Sequence, residues 1–185
     1  MMSSIRYSKK ESTRKRFICA SNNDNTPLLP AKKIITIDVH VLANVISDIR
    51  RLLGSAGDML LYYQGFSVGK CIFESLTHYY HGHIRSHHVA MTCLSDIFRR
   101  SGWGIINTTI LNNNSTSRST LPVIRIYENV ECLLAPKRSK PNSQLARGVL
   151  AGFFSSLFNT KVYVEEKKCI AMGDPYCEFI LLFDT

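Results

Sequence analysis

No stretch of the 185-residue chain approaches the ~18 consecutive apolar residues that a membrane-spanning helix needs. The basic start of the chain, with Arg6, Lys9, Lys10, Arg14, Lys15 and Arg16, is not followed by an apolar run, so no secretory leader is expected. No membrane association is predicted, and a cytoplasmic location is. Catalytic signatures are also missing: there is no phosphate-cradling glycine-rich loop after a strand, no Ser-His-Asp or Cys-His pattern and no cofactor fingerprint. The expectation is therefore a binding protein rather than an enzyme. Acidic residues are scarce, 14 against 23 Lys and Arg, which leaves a formal charge of +9.

That charge is unevenly placed. Residues 1–33 hold eight Lys and Arg against Glu11 and Asp24, a net of +6, and the rest of the chain carries only +3. A basic, Ser/Asn-rich head with Pro27 and Pro30 buries little apolar area and is expected to be a disordered tail, followed by one folded domain over 34–185. A nucleic-acid partner is not expected except through that tail.

From Ile34 to Ile37 the chain is β-branched and stops at Asp38, a residue suited to cap a helix. Val41, Val45, Ile49 and Leu52 then recur at helical spacing up to Gly54. The aromatic segment 58–66 fits a strand or a buried helix turn equally well. Residues 69–100 have room for one long helix, or for two meeting near Gly82. Trp103 to Leu111 and Val123 to Leu134 read as two antiparallel strands around a polar turn at 112–120. Ala146, Val149, Leu150, Phe153, Phe154, Leu157 and Phe158 make a full helical stripe. On that helix Gly148, Gly152 and Ser156 repeat every fourth residue and suit close helix-on-sheet packing. Alternation from Lys161 and an apolar run to Phe183, joined through Met172-Gly173-Asp174-Pro175, give a final hairpin. The order predicts an α+β fold, an antiparallel sheet with helices packed on one face, in a single domain.

Cys169 and Cys177 flank the turn at Gly173, so in a regular hairpin their Cβ atoms would be cross-strand partners ~5 Å apart. With Glu166 they spell Glu-x2-Cys-x7-Cys, and zinc accepts carboxylate oxygen and thiolate sulfur together. Strand periodicity raises an objection, because it puts Glu165, not Glu166, on the face of Cys169. Glu166 qualifies only if the chain leaves the strand or bulges. Two core cysteines or a disulfide remain alternatives on spacing alone.

Arg147-Gly148-Val149-Leu150-Ala151-Gly152, Val164-Glu165-Glu166-Lys167-Lys168-Cys169 and Gly173-Asp174-Pro175-Tyr176-Cys177-Glu178-Phe179 together resemble the C-terminal signature of the 4-vinyl reductase (4VR), or hydrocarbon-binding, domain family. The match is dense over about forty residues and weaker back towards Ile34. The resemblance implies a helix-covered antiparallel sheet like that of trafficking adaptors and nitric-oxide sensors. Family members include tetrapyrrole 4-vinyl reductases, the aromatic-sensing domains of bacterial transcription activators and many archaeal proteins. It also implies zinc ligands at Glu166, Cys169 and Cys177, with a further cysteine at a position that here is Ser143. A serine hydroxyl is a poor zinc ligand, so something else would have to complete the set.

Five of the six histidines, His78, His81, His83, His87 and His88, fall within eleven residues and could donate that ligand or simply form a solvated face. A pocket for a small apolar or aromatic molecule would lie between sheet and helices, with Tyr62, Tyr63, Phe66, Phe73, Trp103 and Tyr127 as candidate liners. The expected function is a ligand-binding or sensor domain acting through an unidentified protein partner, with zinc as the candidate cofactor and a homodimer as the candidate assembly. A trafficking-type adaptor and a vinyl reductase are the alternatives.

Overall fold

The computed structural model describes residues 37–80, 84, 87–110 and 122–184. The expected tail (1–33), Ile34 to Thr36, His81, Gly82, His83 and the 112–120 turn lie outside the described residues.

Asp38 caps the first helix, α1 (Val39–Leu53), its carboxylate accepting from the amides of His40 and Val41. Ile37, expected to end a strand, is in none. After Gly54, at φ 56°, the chain turns directly into α2 (Ser55–Tyr79), so the ambiguous aromatic segment 58–66 is helical. The next helix is α3 (His87–Arg100), and the 69–100 region is thus two helices. Strands β1 (Ile105–Ile110) and β2 (Pro122–Tyr127) pair antiparallel as expected.

The apolar run 123–134 is not one strand. It stops at Tyr127, where Glu128 takes φ 53° and Asn129 accepts from the Glu131 amide to cap a single helical turn, α4 (Val130–Leu133). Helix α5 (Gln144–Phe158) ends on Asn159 in the left-handed conformation. Strand β3 (Val162–Lys168), a 3-10 turn at Ile170–Met172 and β4 (Cys177–Phe183) complete the chain. The sheet is antiparallel and open, in the order β1-β2-β4-β3. With five helices among the described residues, this is an α+β single-domain fold.

Helix α5 is the centre of the molecule. Ala146, Val149, Leu150, Ala151, Phe153 and Phe154 are all buried, so it is covered on nearly every side, as a helix between two layers must be. Ile124, Ile126, Val162, Val164, Phe179 and Leu181 supply the inward face of the sheet. The glycine spacing on α5 serves another helix rather than the sheet. A Cβ at Gly148 would strike the Tyr62 carbonyl and one at Gly152 that of Phe66, while Gly65 and Gly69 of α2 would strike the carbonyls of Leu145 and Val149. Four glycines thus let α2 and α5 cross backbone to backbone. No helix among the described residues is long and apolar enough to cross a membrane.

Candidate metal centre

Three short segments converge where α5 begins. The β3–β4 ladder holds register from Val162↔Phe183 to Glu166↔Phe179 and then shifts, with Lys168 opposite Glu178. This irregularity after Glu166 is the bulge that the strand periodicity required. It keeps Glu166 inward beside Val162 and Val164, with Glu165 outward, and still delivers Cys169 to the same side. Cys169 and Cys177 are not ladder partners. Cys169 follows the end of β3 and starts the 3-10 turn, while Cys177 pairs with Ile126 of β2. The Cys169 amide donates to Asp174 Oδ2 at 2.8 Å, and Gly173 at φ 104° reverses the chain, so the two thiols meet across a turn.

The fourth member is Cys132 on α4. Its sulfur, those of Cys169 and Cys177 and a carboxylate oxygen of Glu166 all lie within 4.8 Å of one another, and all four residues are buried. Cys132 Sγ is 3.6 Å from Cys169 Sγ. Ser143, just before the first turn of α5, sits among them: its hydroxyl donates to Glu166 Oε1 at 2.6 Å, its amide donates to Glu166 Oε2 at 3.0 Å, and its Oγ is 3.1 Å from Cys132 Sγ. The sulfurs also receive polar hydrogens. The Asn142 amide points to Cys169 Sγ, and the Ile170 amide and the Asn129 side chain point to Cys177 Sγ, at 3.4–3.5 Å.

These surroundings set the charges. Hydrogen bonds from Cys132 and Cys177 hold Cys169 far below the ordinary thiol range despite its burial. Hydrogen bonding to Cys169 and Cys177, with burial, pushes Cys132 far up. For Cys177 the bond to Cys132 lowers the value, but the bond to Cys169 and burial outweigh it and push it up to about 12. Burial raises Glu166 to about 8, against the pull of the Ser143 hydroxyl. One thiolate, at Cys169, is what the cluster ionises without further positive charge, and a divalent cation would stabilise the remaining anions.

The donor set fits such an ion. Tetrahedral bonds of ~2.3 Å to sulfur put neighbouring sulfurs ~3.8 Å apart, close to the Cys132–Cys169 separation. Asn142 Oδ1, in the same neighbourhood, is buried without a hydrogen-bond partner, an acceptor that an ion-bound water would satisfy. A buried Cys3Glu group able to hold a metal ion is therefore present, and Cys132 is the member that sequence spacing missed.

Residues 122–183 match the model of the vinyl-4-reductase (4VR) domain. The chain carries a 4VR domain. An uncharacterized protein of Methanocaldococcus jannaschii is 27% identical over 133 residues, 71% of this chain and 68% of the relative. The phenol-responsive sensory domain of the transcription activator PoxR has the same fold, with a TM-score of 0.66 at 17% identity over 81% of this chain and 76% of that one. So does trafficking protein particle complex subunit 3 of Naegleria fowleri, covalently bound to palmitic acid, with a TM-score of 0.59 at 18% identity over 80% and 95%. A vinyl-4-reductase family protein of M. jannaschii aligns at a TM-score of 0.52 with 20% identity, over 85% and 87%.

The aromatic candidates of the 4VR domain and the helices before it occupy separate neighbourhoods. Tyr62 and Tyr63 meet edge to face on α2, and Arg147 lies over Tyr62. Phe66 packs against the core, and Phe73 packs on Phe153. Trp103 lies on Phe98, and Tyr127 lies on Tyr176. Of the histidines, His78, His87 and His88 are exposed, and His87 packs on Phe158.

Proposed function

We propose that this chain is a ligand-binding or sensor module whose C-terminal hairpin is pinned by one zinc ion held by Cys132, Glu166, Cys169 and Cys177. The observation that carries the reading is the burial of three thiols and a carboxylate within one ion's reach, since buried acids and thiols of this density are costly without a cation. Zinc suits the mixed sulfur and oxygen donors, and four protein ligands make a closed, structural site with no open position for catalysis. The ion would supply the positive charge that fixes the β3–β4 turn, α4 and the start of α5 relative to one another.

The small molecule is a phenol-sized aromatic or an acyl chain, by analogy with the phenol of the PoxR domain and the palmitic acid of the trafficking subunit. Its occupancy reaches a protein partner through a two-state packing change. Val41, Val45, Leu52, Met59 and Tyr63 are exposed on α1 and the start of α2, and this apolar surface favours a protein partner. Elemental and native mass spectrometry of freshly purified protein test the proposal. About one zinc per chain, with a stoichiometric aromatic or acyl adduct, supports it; a metal-free protein with no adduct refutes it.

A further inference from the structure

Helix α1 has one buried apolar residue, Ile46. A cleft of about 270 Å³ lies along it, lined by His40, Asn44, Ser47, Arg50, Glu131 and Arg138, so the helix is not sealed onto α4 by close apolar packing. What bridges them is Arg50. Its side chain is 8% exposed, and it donates to Glu131 at 2.6 Å, to the Asn142 carbonyl and to Asp58 at 2.8 Å.

Two of those partners are chain neighbours of the metal group or touch it directly. Glu131 precedes Cys132 on the single turn of α4, and its carboxylate also accepts from the amides of Leu145 and Ala146, fixing α4 to the start of α5. Asn142 gives its carbonyl to Arg50 and its amide to Cys169 Sγ. The Asn142 side chain closes the loop by donating to the Glu131 carbonyl at 3.1 Å. One guanidinium thus holds the backbone segments that carry Cys132 and orient Cys169.

We propose that Arg50 is a positioning residue for the Cys3Glu group, and that docking of α1 and metal binding are thermodynamically linked through it. The inference rests on the metal reading above. Outer partners of metal ligands typically change metal affinity by about 10- to 100-fold. Linkage is reciprocal, so the metal must favour the docked α1 by the same factor by which losing the docking weakens the metal.

The test is hydrogen exchange of the full chain with and without zinc, alongside zinc affinity by chelator competition for wild type, Arg50→Met and Arg50→Lys. Zinc is expected to slow α1 amides about 10- to 100-fold beyond any change in β1, which is remote from the site. Arg50→Met should weaken zinc by a similar factor and abolish the zinc-dependent part of α1 protection, with partial recovery in Arg50→Lys. A purely structural role would loosen α1 equally with and without zinc, and that outcome overturns the inference. The wild-type comparison needs no variant, so a poorly folding Arg50→Met does not remove the test. If wild type takes up no zinc, the metal reading fails and the linkage with it. If it binds zinc while α1 exchange is unchanged, only the linkage fails.

Discussion

Replacing Cys132 by serine tests the placement of the fourth ligand directly. Four-ligand structural zinc sites bind with about 10–16 kcal/mol. One ligand's even share is roughly 3 kcal/mol, so Cys132→Ser should weaken zinc by about 100-fold. Ser143→Ala is the contrast. It removes the hydroxyl that donates to Glu166 but no sulfur, and zinc stoichiometry should survive with a smaller loss of affinity. Because Ser143 Oγ lies 3.1 Å from Cys132 Sγ, the double variant C132S/S143C moves the thiolate by about one atom's width and should restore most of the affinity. Competition with a chromophoric chelator, checked by the d–d spectrum of the cobalt-substituted protein, reads sulfur count and affinity together. Wild-type affinity in C132S with loss of metal in S143A would refute the assignment and make serine the ligand.

Without metal, stability should fall as pH rises between about 4.5 and about 8. Glu166 is raised to about 8 by burial, so the folded chain binds a proton that the unfolded chain has already lost, with a slope of up to about 1.4 kcal/mol per pH unit. Melting in a chelator buffer across that range checks it, and zinc should flatten the slope; a metal-free Tm that rises with pH contradicts it. Gly152→Ala sets a helix-propensity gain of about 1 kcal/mol against collision of the new Cβ with the Phe66 carbonyl. Backbone collisions cannot relax through a rotamer, so a net loss of about 1–3 kcal/mol is expected by urea unfolding; a stabilised variant would mean that the helices can part freely. Asp38→Ala removes the α1 cap and should raise exchange in the first turn of α1, with a cost of about 1 kcal/mol; unchanged exchange there would make the cap idle.

The parts of the fold that are legible in the sequence are those set by local chemistry. The Asp38 cap, the α5 stripe and the turn at Gly173 each follow from a few adjacent residues. The Glu166 bulge was legible as a condition, because period-two alternation and a shared face with Cys169 cannot both hold in a regular strand. Cys132 was not, since the residues around it, Val130, Leu133 and Leu134, are as apolar as the strand before them. The signal that separates them is Asn129, a capping residue inside an apolar run, but an asparagine also fits a strand end. The partner of the α5 glycines was illegible for a different reason. Spacing shows that a backbone approaches, and only the α2 glycines at the same interval, Gly65 and Gly69, identify which one.

The resemblance places a cysteine where this chain has Ser143, and the exchange of that position for Cys132 alters more than one donor atom. A ligand at 143 would belong to the start of α5, the most deeply packed helix, whose position is fixed by the α2 crossing whether or not an ion is bound. A ligand at 132 belongs to a four-residue turn that depends on its neighbours for its place: the Asn129 cap, the α5 amides that hold Glu131, and Arg50 of α1. Moving the thiol to α4 therefore exposes the site to anything that moves α1. Glu131 is buried, so once Arg50 departs its carboxylate is left uncompensated. The turn that carries Cys132 would then have every reason to shift. Undocking α1 would thus release the metal's grip from the α4 side while the hairpin cysteines stay in place, giving this domain a two-state element that the serine-to-cysteine reversal at 143 would disconnect.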